Sequence, residues 1–363
     1  MNKLKKLFPY RIQEEQNCPL IKRIIILFGM LVLCLVLHSL IMLTMTDDPL
    51  QAYITIFKSA FGTKYQISQT LLSALPIVWI GLGLSVCLRA GVLNLGGNGC
   101  LLIGGLGATI VGLYMPDLPP VLAIALMVFL SMLFGALWSG LAGILRSRLG
   151  ISEIYVTVML NYVMLYFCTF MLEVVWQDPL KLNWTEMISA NSQWPILVGG
   201  TSIHLGFLFW AITLLGILFL NRTPLGYEIR SFGLNNQASL FKLKSGGNER
   251  IILFVMLFSG AIAGLAGAAQ VAGYQYRFSL SINNDFGFTG IVAAKLGGLN
   301  PFGILAAGLL LGVLTSGATA LQVMTGVPSS IIDVLQGMLL VAAICADRLA
   351  MYKLVKVEGG ERQ

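Results

Sequence analysis

The sequence predicts an all-α integral membrane protein: a polytopic helical bundle of about ten transmembrane helices, with two short or broken segments in related halves. Three observations predict it. Of the 363 residues, 57% are hydrophobic and 11% charged. With a mean hydropathy of +0.83, that is more apolar surface than a water-soluble core needs. The apolar residues also fall into long runs between short polar turns. Finally, with the spans set out below, 18 of the 23 Lys and Arg lie in segments assigned to the cytoplasm, the bias that orients membrane proteins. The net charge of +7 would suggest nucleic acid in a soluble protein. Here it follows from topology, and no nucleic-acid partner is expected.

Residues 1–23 form a basic cytoplasmic segment carrying Lys3, Lys5, Lys6, Arg11, Lys22 and Arg23, suited to an anionic lipid leaflet. The first span, 24–46, is too long for a signal core and has no small-residue cleavage site. Asp47-Asp48-Pro49 stops it outside, and the outer loop to about residue 66 suits a short interfacial helix. The second span, 67–88, is expected to kink at Pro76. The next three are 100–114, 121–145 and 154–175. Trp176, Trp184 and Trp194 in the following outer loop fit an interfacial belt.

The sixth span is 203–220 and the seventh 251–274, with Gly260, Gly264, Gly267 and Ala268 as a face for close packing. Residues 286–299 are apolar but too short for a straight crossing of roughly 20 residues. Span 302–321 carries a second small-residue face, Gly308, Gly312 and Ser316. Span 331–345 leads to a cytoplasmic tail, 347–363. Ten crossings within a transmembrane domain 24–346 place both termini in the cytoplasm.

The longest polar interruption, 221–250, divides two apolar halves and carries Arg222, Arg230, Lys242, Lys244 and Arg250 against Glu228 and Glu249. Pro224 and Gly226 punctuate its start. Asn235 is placed to cap a short helix with Leu234, Ala238 and Phe241 as its apolar stripe, and Gly246-Gly247 ends it. Such a helix can dock in another protein's groove; a solvated connector is the plain alternative.

Segments 93–106 and 286–299 are both Gly-interrupted and similarly placed in their halves. Paired broken segments point to a transport path, while glycines also simply permit close helix packing. Several reactive classes are missing. There is no GxxxxGK[ST] loop to bind ATP, no HExxH, no nucleophile elbow, and no carboxylate pair at mid-membrane; Glu153, Glu173, Asp285, Asp333 and Asp347 fall near span ends. A membrane-embedded enzyme and a proton- or sodium-coupled carrier therefore lack their usual parts, and no metal or cofactor is expected. The six cysteines read as small core residues, His38 as a packing residue, and Lys295 as a snorkelling cation. Asn94, Asn98, Asn161, Gln270, Thr289 and Gln336 give a neutral polar lining suited to a hydroxyl-rich solute.

Several strings resemble one family, the permease subunits of ABC importers for nucleosides and simple sugars, within the ribose and branched-chain amino acid type of permease. GVLNLGGNGCLLIGG at 91–105 resembles its GVFNIGVEGQLLIGA-type motif. EIYVTVMLNYVMLYF at 153–167 resembles its E-x-x-x-T-x-M-L-N-Y segment. LGYEIRSFGLNNQAS at 225–239 resembles its G-Y-E-x-R-A-x-G-x-N-x-x-A motif. FSGAIAGLAGA at 258–268 and TGVPSSIIDVLQGMLL at 325–340 also match, in the family's order. Three positions depart from it. Asn98-Gly99-Cys100 stands where Glu-Gly-Gln is usual, Thr289 where Asp is common, and Lys295 where an apolar residue is more usual.

The resemblance implies a multi-pass permease of a bacterial cell membrane, in contact with lipid, that does no covalent chemistry. It would work with an ABC ATPase subunit, a second and different permease subunit, and an extracytoplasmic solute-binding lipoprotein. It places Gly91, Asn94, Gly96 and Gly99 in a first translocation motif and Gly287, Phe288 and Gly290 in a second; together with the neutral polar lining, the expected solute-path residues are Asn94, Gly96, Gly97, Asn98, Asn161, Phe288, Thr289 and Gly290. It implies ATPase-coupling residues Gly226, Tyr227, Glu228, Arg230, Gly233, Asn235 and Ala238. Nucleosides are the expected solute; simple sugars, or a carrier or channel working alone, are the alternatives.

Overall fold

The computed structural model describes residues 10–14, 20–46, 48–176, 183–234, 247–350 and 352–356. Its contacts divide the chain into one compact unit of residues 51–332 and a second built from 1–50 with 333–363.

The second unit contains helix α1 (Leu20–Met42) and most of the last helix, α12 (Ser330–Ala350), with strand β1 (Tyr10–Glu14) paired antiparallel to β2 (Tyr352–Lys356). Nothing in the hydropathy pattern signals this ribbon. It brings the chain before α1 beside the chain after α12. Lys22 Nζ donates to the Tyr352 carbonyl at 3.1 Å.

In the larger unit, α2 (Pro49–Phe61) is the expected short helix, and Thr63 caps α3 (Lys64–Arg89) by accepting from Gln66 N. There follow α4 (Gly97–Tyr114), α5 (Pro120–Leu149), α6 (Glu153–Phe170), α7 (Gly206–Leu220), α8 (Pro224–Leu234), α9 (Gly247–Ala268), α10 (Phe286–Leu296) and α11 (Pro301–Thr325). Helices α6 and α9 end in π-helical turns, Met171–Val175 and Ala269–Gln275. Among the described residues, eight helices are long and apolar enough to cross a membrane. The pair α7 and α8, bent by 72°, gives a ninth. The eleven-residue α10 completes the set of about ten as a partial crossing.

Helix α3 is the buried axis of this unit. The predicted small-residue faces are where backbones meet: a β-carbon at Gly264 would strike the Ser131 carbonyl of α5, and one at Gly267 the Leu101 carbonyl of α4. Van der Waals packing of this kind is the available cohesion where lipid is as apolar as leucine. On α11, Gly308 and Gly312 close on Val78 and Ala74 as expected. The face continues through Gly317 onto Ile56, rather than through the half-buried Ser316.

The loops before α7 and before α10 form a hydrogen-bonded cap. Thr185 N donates to the Phe278 carbonyl and Trp194 N to that of Ala272, at 2.9 and 2.8 Å. Trp194 is buried against His204 and Phe209 rather than standing in an interfacial belt. Helix α7 starts at Gly206, so His204 belongs to this cap and not to a span. Its Nδ1 accepts from Gly206 N at 3.0 Å, and burial pushes its pKa down to about 4.

Candidate functional site

The first predicted broken segment is a non-helical strip followed by a full eighteen-residue helix, not a short helix. Helix α3 stops at Arg89, Gly91 turns at φ +70°, and residues 92–95 lead without regular secondary structure to the start of α4. Non-helical backbone inside a membrane protein must find partners within the protein. One face of α6 supplies them. Glu153 Oε1 accepts from Leu93 N at 3.3 Å, and Thr157 Oγ1 accepts from Leu95 N at 3.2 Å. Asn161 Nδ2 donates to the Leu95 carbonyl at 2.9 Å, and its Oδ1 accepts from Gly99 N at 2.8 Å.

The spacing explains the fit. Four residues of helix rise about 6 Å, close to the roughly 6.6 Å covered by two residues of strand. The E-x-x-x-T-x-x-x-N face thus acts on the strip as a neighbouring strand would. Glu153 is buried and paired with the half-exposed Arg146 at 3.1 Å. Asn94 anchors the strip's other side: its Oδ1 accepts from Gly96 N at 2.9 Å, and its Nδ2 donates to Ser139 and Ser259 Oγ at 3.0 and 3.3 Å.

The strip delivers α4 to the start of α10. Asn98 Oδ1 accepts from Gly287 N at 2.6 Å, and Asn98 Nδ2 donates to Asp285 Oδ1 at 3.0 Å. Gly97 and Gly287 make this seam possible. A β-carbon at Gly97 would lie 3.0 Å from Gly287 Cα, and one at Gly287 would collide with the Asn98 amide. Gly290 is packed on Ile80. Helix α10 is about 16 Å long, half of the roughly 30 Å hydrocarbon core. Asp285 therefore stands at the head of a helix about half as long as that core is thick. Thr289 is buried beneath it, while Phe288 and Asp285 are exposed.

The elbow between α7 and α8 lies at the other end of α10, joined to it through Arg89. Pro224 opens α8 in the first turn, where its missing N–H costs nothing, and Thr223 Oγ1 accepts from Gly226 N at 3.3 Å. Gly226, Ile229 and Phe232 are buried; Tyr227, Glu228 and Leu234 are exposed. Arg230 Nη1 donates to the Asn221 carbonyl at 2.8 Å. This helix precedes the one expected from Asn235 onward. Asn235 and Ala238 lie outside the described residues.

Residues 66–344 match the family described as "Branched-chain amino acid transport system / permease component". The chain belongs to this permease family. The permease is 36% identical over 327 residues to the "Nucleoside ABC transporter permease protein NupB" of Lactococcus lactis, covering 87% of each chain. It is 32% identical to the "Guanosine ABC transporter permease protein NupP" of Bacillus subtilis, over 90% of this chain and 95% of that one. It is 28% identical to the "Glucose ABC transporter permease protein TsgB13" of Haloferax volcanii, over 85% and 83%. No solved structure matches. The permease is thus a multi-pass membrane protein and a translocation subunit of an ABC transporter.

Within the permease the predicted residues sort by geometry. Gly97 and Asn98 meet α10 at Gly287 and Asp285, Gly290 packs on Ile80 of α3, and Thr289 is buried with its hydroxyl donating to the Asp285 carbonyl at 3.3 Å. Asn94 and Asn161 spend their amides on the strip and on neighbouring hydroxyls. Gly226, Arg230 and Gly233 turn toward the protein, and Tyr227 and Glu228 turn out. Sequence reasoning missed Thr157 and Glu153 as backbone partners, although their four-residue spacing with Asn161 is a visible signal. It also missed Arg89, which reads in the sequence as one more inner cation. Arg89 Nη1 donates to Asn221 Oδ1 and Nη2 to the Leu299 carbonyl.

Proposed function

We propose that the permease carries nucleosides across a bacterial cytoplasmic membrane as the translocation half of an ATP-driven importer. The observation that carries this reading is similarity across most of the chain to proteins named for nucleoside and guanosine transport. ATP is hydrolysed by a separate ATPase subunit seated on the outward face of α8, at Tyr227, Glu228 and Leu234. Asn235 and Ala238, matched to the family's motif by the sequence alone, are proposed coupling residues too. A second, different permease subunit completes the path, an extracytoplasmic solute-binding lipoprotein delivers solute, and lipid surrounds the transmembrane domain 24–346. Segments 1–23 and 347–363 are cytoplasmic, in keeping with the β1–β2 pairing and the inner bias of basic residues.

The solute passes along the seam of Gly97, Asn98, Phe288, Thr289 and Gly290, with Gly96, Asn94 and Asn161 fixing the strip beneath. One exposed carboxylate beside neutral amide and hydroxyl groups suits a polyhydroxylated, uncharged solute better than an anion. Movement follows the rocking of one packed part against another that alternating access requires.

Uptake of radiolabelled uridine or adenosine should be lost when the gene is deleted, with glucose uptake untouched. The glucose-named relative supports a second reading, a simple-sugar importer. Unchanged nucleoside uptake with reduced pentose or glucose uptake would select it. The permease reconstituted alone should concentrate no solute; uphill accumulation by the single chain would remove the importer reading.

A further inference from the structure

We infer that Arg89 is the positioning residue that carries motion from α8 to α10, an inference that rests on the proposed coupling role of α8. Three helix ends converge on it. It lies in the last turn of α3, and its guanidinium forks between the Asn221 side chain, at the α7–α8 elbow, and the Leu299 carbonyl, in the turn after α10. From the other side, α8 is pressed on the same residue: a β-carbon at Gly233 would run into the Arg89 carbonyl. The elbow carries a second basic residue, Arg230, bonded to the Asn221 backbone carbonyl. Asn221 thus receives both guanidinium groups, one on its side chain and one on its main chain.

The partners' chemistry fits a joint rather than a lock. Among the described residues Arg89 makes no ion pair; its two assigned acceptors are neutral amide oxygens. Such bonds are directional but exchange more readily than a buried ion pair, whose breaking leaves a charge unpaired. The guanidinium reaches its two acceptors from two separate nitrogens held in a fixed planar fork; the three donors of a lysine ammonium radiate from one nitrogen and do not reproduce that span. The far end of α10 then touches the seam, since Gly287 N donates to Asn98 Oδ1 at 2.6 Å. A displacement of α8 reaches that seam through Asn221, Arg89, Leu299 and a rigid helix, with every link a bond or a packed contact.

The test compares Arg89→Gln and Arg89→Lys with wild type in vesicles holding the whole importer, measuring labelled uridine uptake and ATP hydrolysis in one sample. Both variants should co-purify with the ATPase and hydrolyse ATP within about twofold of wild type. Uptake per ATP should fall roughly tenfold, the scale of a coupling free energy, with Lys failing to rescue. A ratio within about twofold of wild type in Arg89→Gln would overturn the inference. If Arg89→Gln does not assemble, Asn221→Ala carries the test, because it leaves the guanidinium on Leu299. Its ratio should drop several-fold, and an unchanged ratio overturns the inference too. Tyr227→Asp separates the two claims. If it leaves ATPase association intact, the coupling role of α8 fails and takes the Arg89 joint with it. If it releases the ATPase while Arg89→Gln keeps its ratio, only the joint fails.

Discussion

The two broken segments look alike in the sequence and are built on opposite principles. The first, 92–95, is not helical, and its buried strip is held by side chains of α6 on one edge and by Asn94 on α5 and α9 at the other. The second, α10, is a true helix that satisfies its own backbone. It packs on α3 through Gly290 and Ile80, and hydrogen bonds fix its two ends, one to Asn98 and one from Arg89 to the Leu299 carbonyl just beyond it. A strip whose amides are answered by a neighbour cannot move without that neighbour. A short helix fastened at both tips can tilt as a rod. In the proposed mechanism the strip is the frame, and α10 is the piece that moves against Ile80 of α3, on which Gly290 packs.

The largest effect should come from breaking the frame. Asn161→Leu leaves the Leu95 carbonyl and the Gly99 amide without partners. At about 1–3 kcal/mol for each stranded group, the cost is roughly 2–6 kcal/mol. Thermal unfolding in detergent should show a large fall in Tm; a loss of stability near zero would mean the ladder does not hold the strip.

The cap around His204 offers a control remote from both segments. The His204 imidazole is buried neutral with its pKa near 4, whereas in the unfolded chain it titrates at about 6.5. Between those values only the unfolded state binds the proton, so stability is full above pH 6.5 and falls as pH drops toward 4. The loss approaches about 3 kcal/mol at about 1.4 kcal/mol per unit. Hydrogen exchange should loosen first around residues 184–206, and His204→Asn should flatten that pH dependence. Exchange that rises first in the strip would contradict this assignment.

Breaking the mobile piece should cost transport more than stability. In Gly287→Ala the added β-carbon meets the Asn98 amide, and overpacking of this kind costs about 1–3 kcal/mol. Uptake should fall severely while Tm moves by a few degrees; normal uptake would remove the seam from the path. The smallest effect belongs to Glu153→Gln. The amide oxygen still accepts from Leu93 N, and only the pair with the half-exposed Arg146 is lost, worth below about 1 kcal/mol. A large loss of stability there would show that the ion pair, rather than the ladder, fixes α6 to the strip.

Much of this fold was legible from the residues alone. Long apolar runs, the inner bias of Arg and Lys, the short amphipathic α2, and the glycine faces at Gly264 and Gly312 all express local composition or helical spacing. The α8 helix was less so, because Gly226 and Gly233 are poor helix formers and the helix forms where they let it lie against Leu220 and Arg89. Residue type along the chain determined that this protein lives in a bilayer, how many times it approaches crossing, and which side its charges prefer, since each depends on transfer free energy summed over a local stretch. Only the tertiary structure decided that Asn161 serves the backbone, that Asp285 heads a half-helix, and that Arg89 joins three helix ends. Those roles depend on partners separated by 62 to 210 positions, and a hydrogen bond is set by distance and angle in space, which no local pattern encodes.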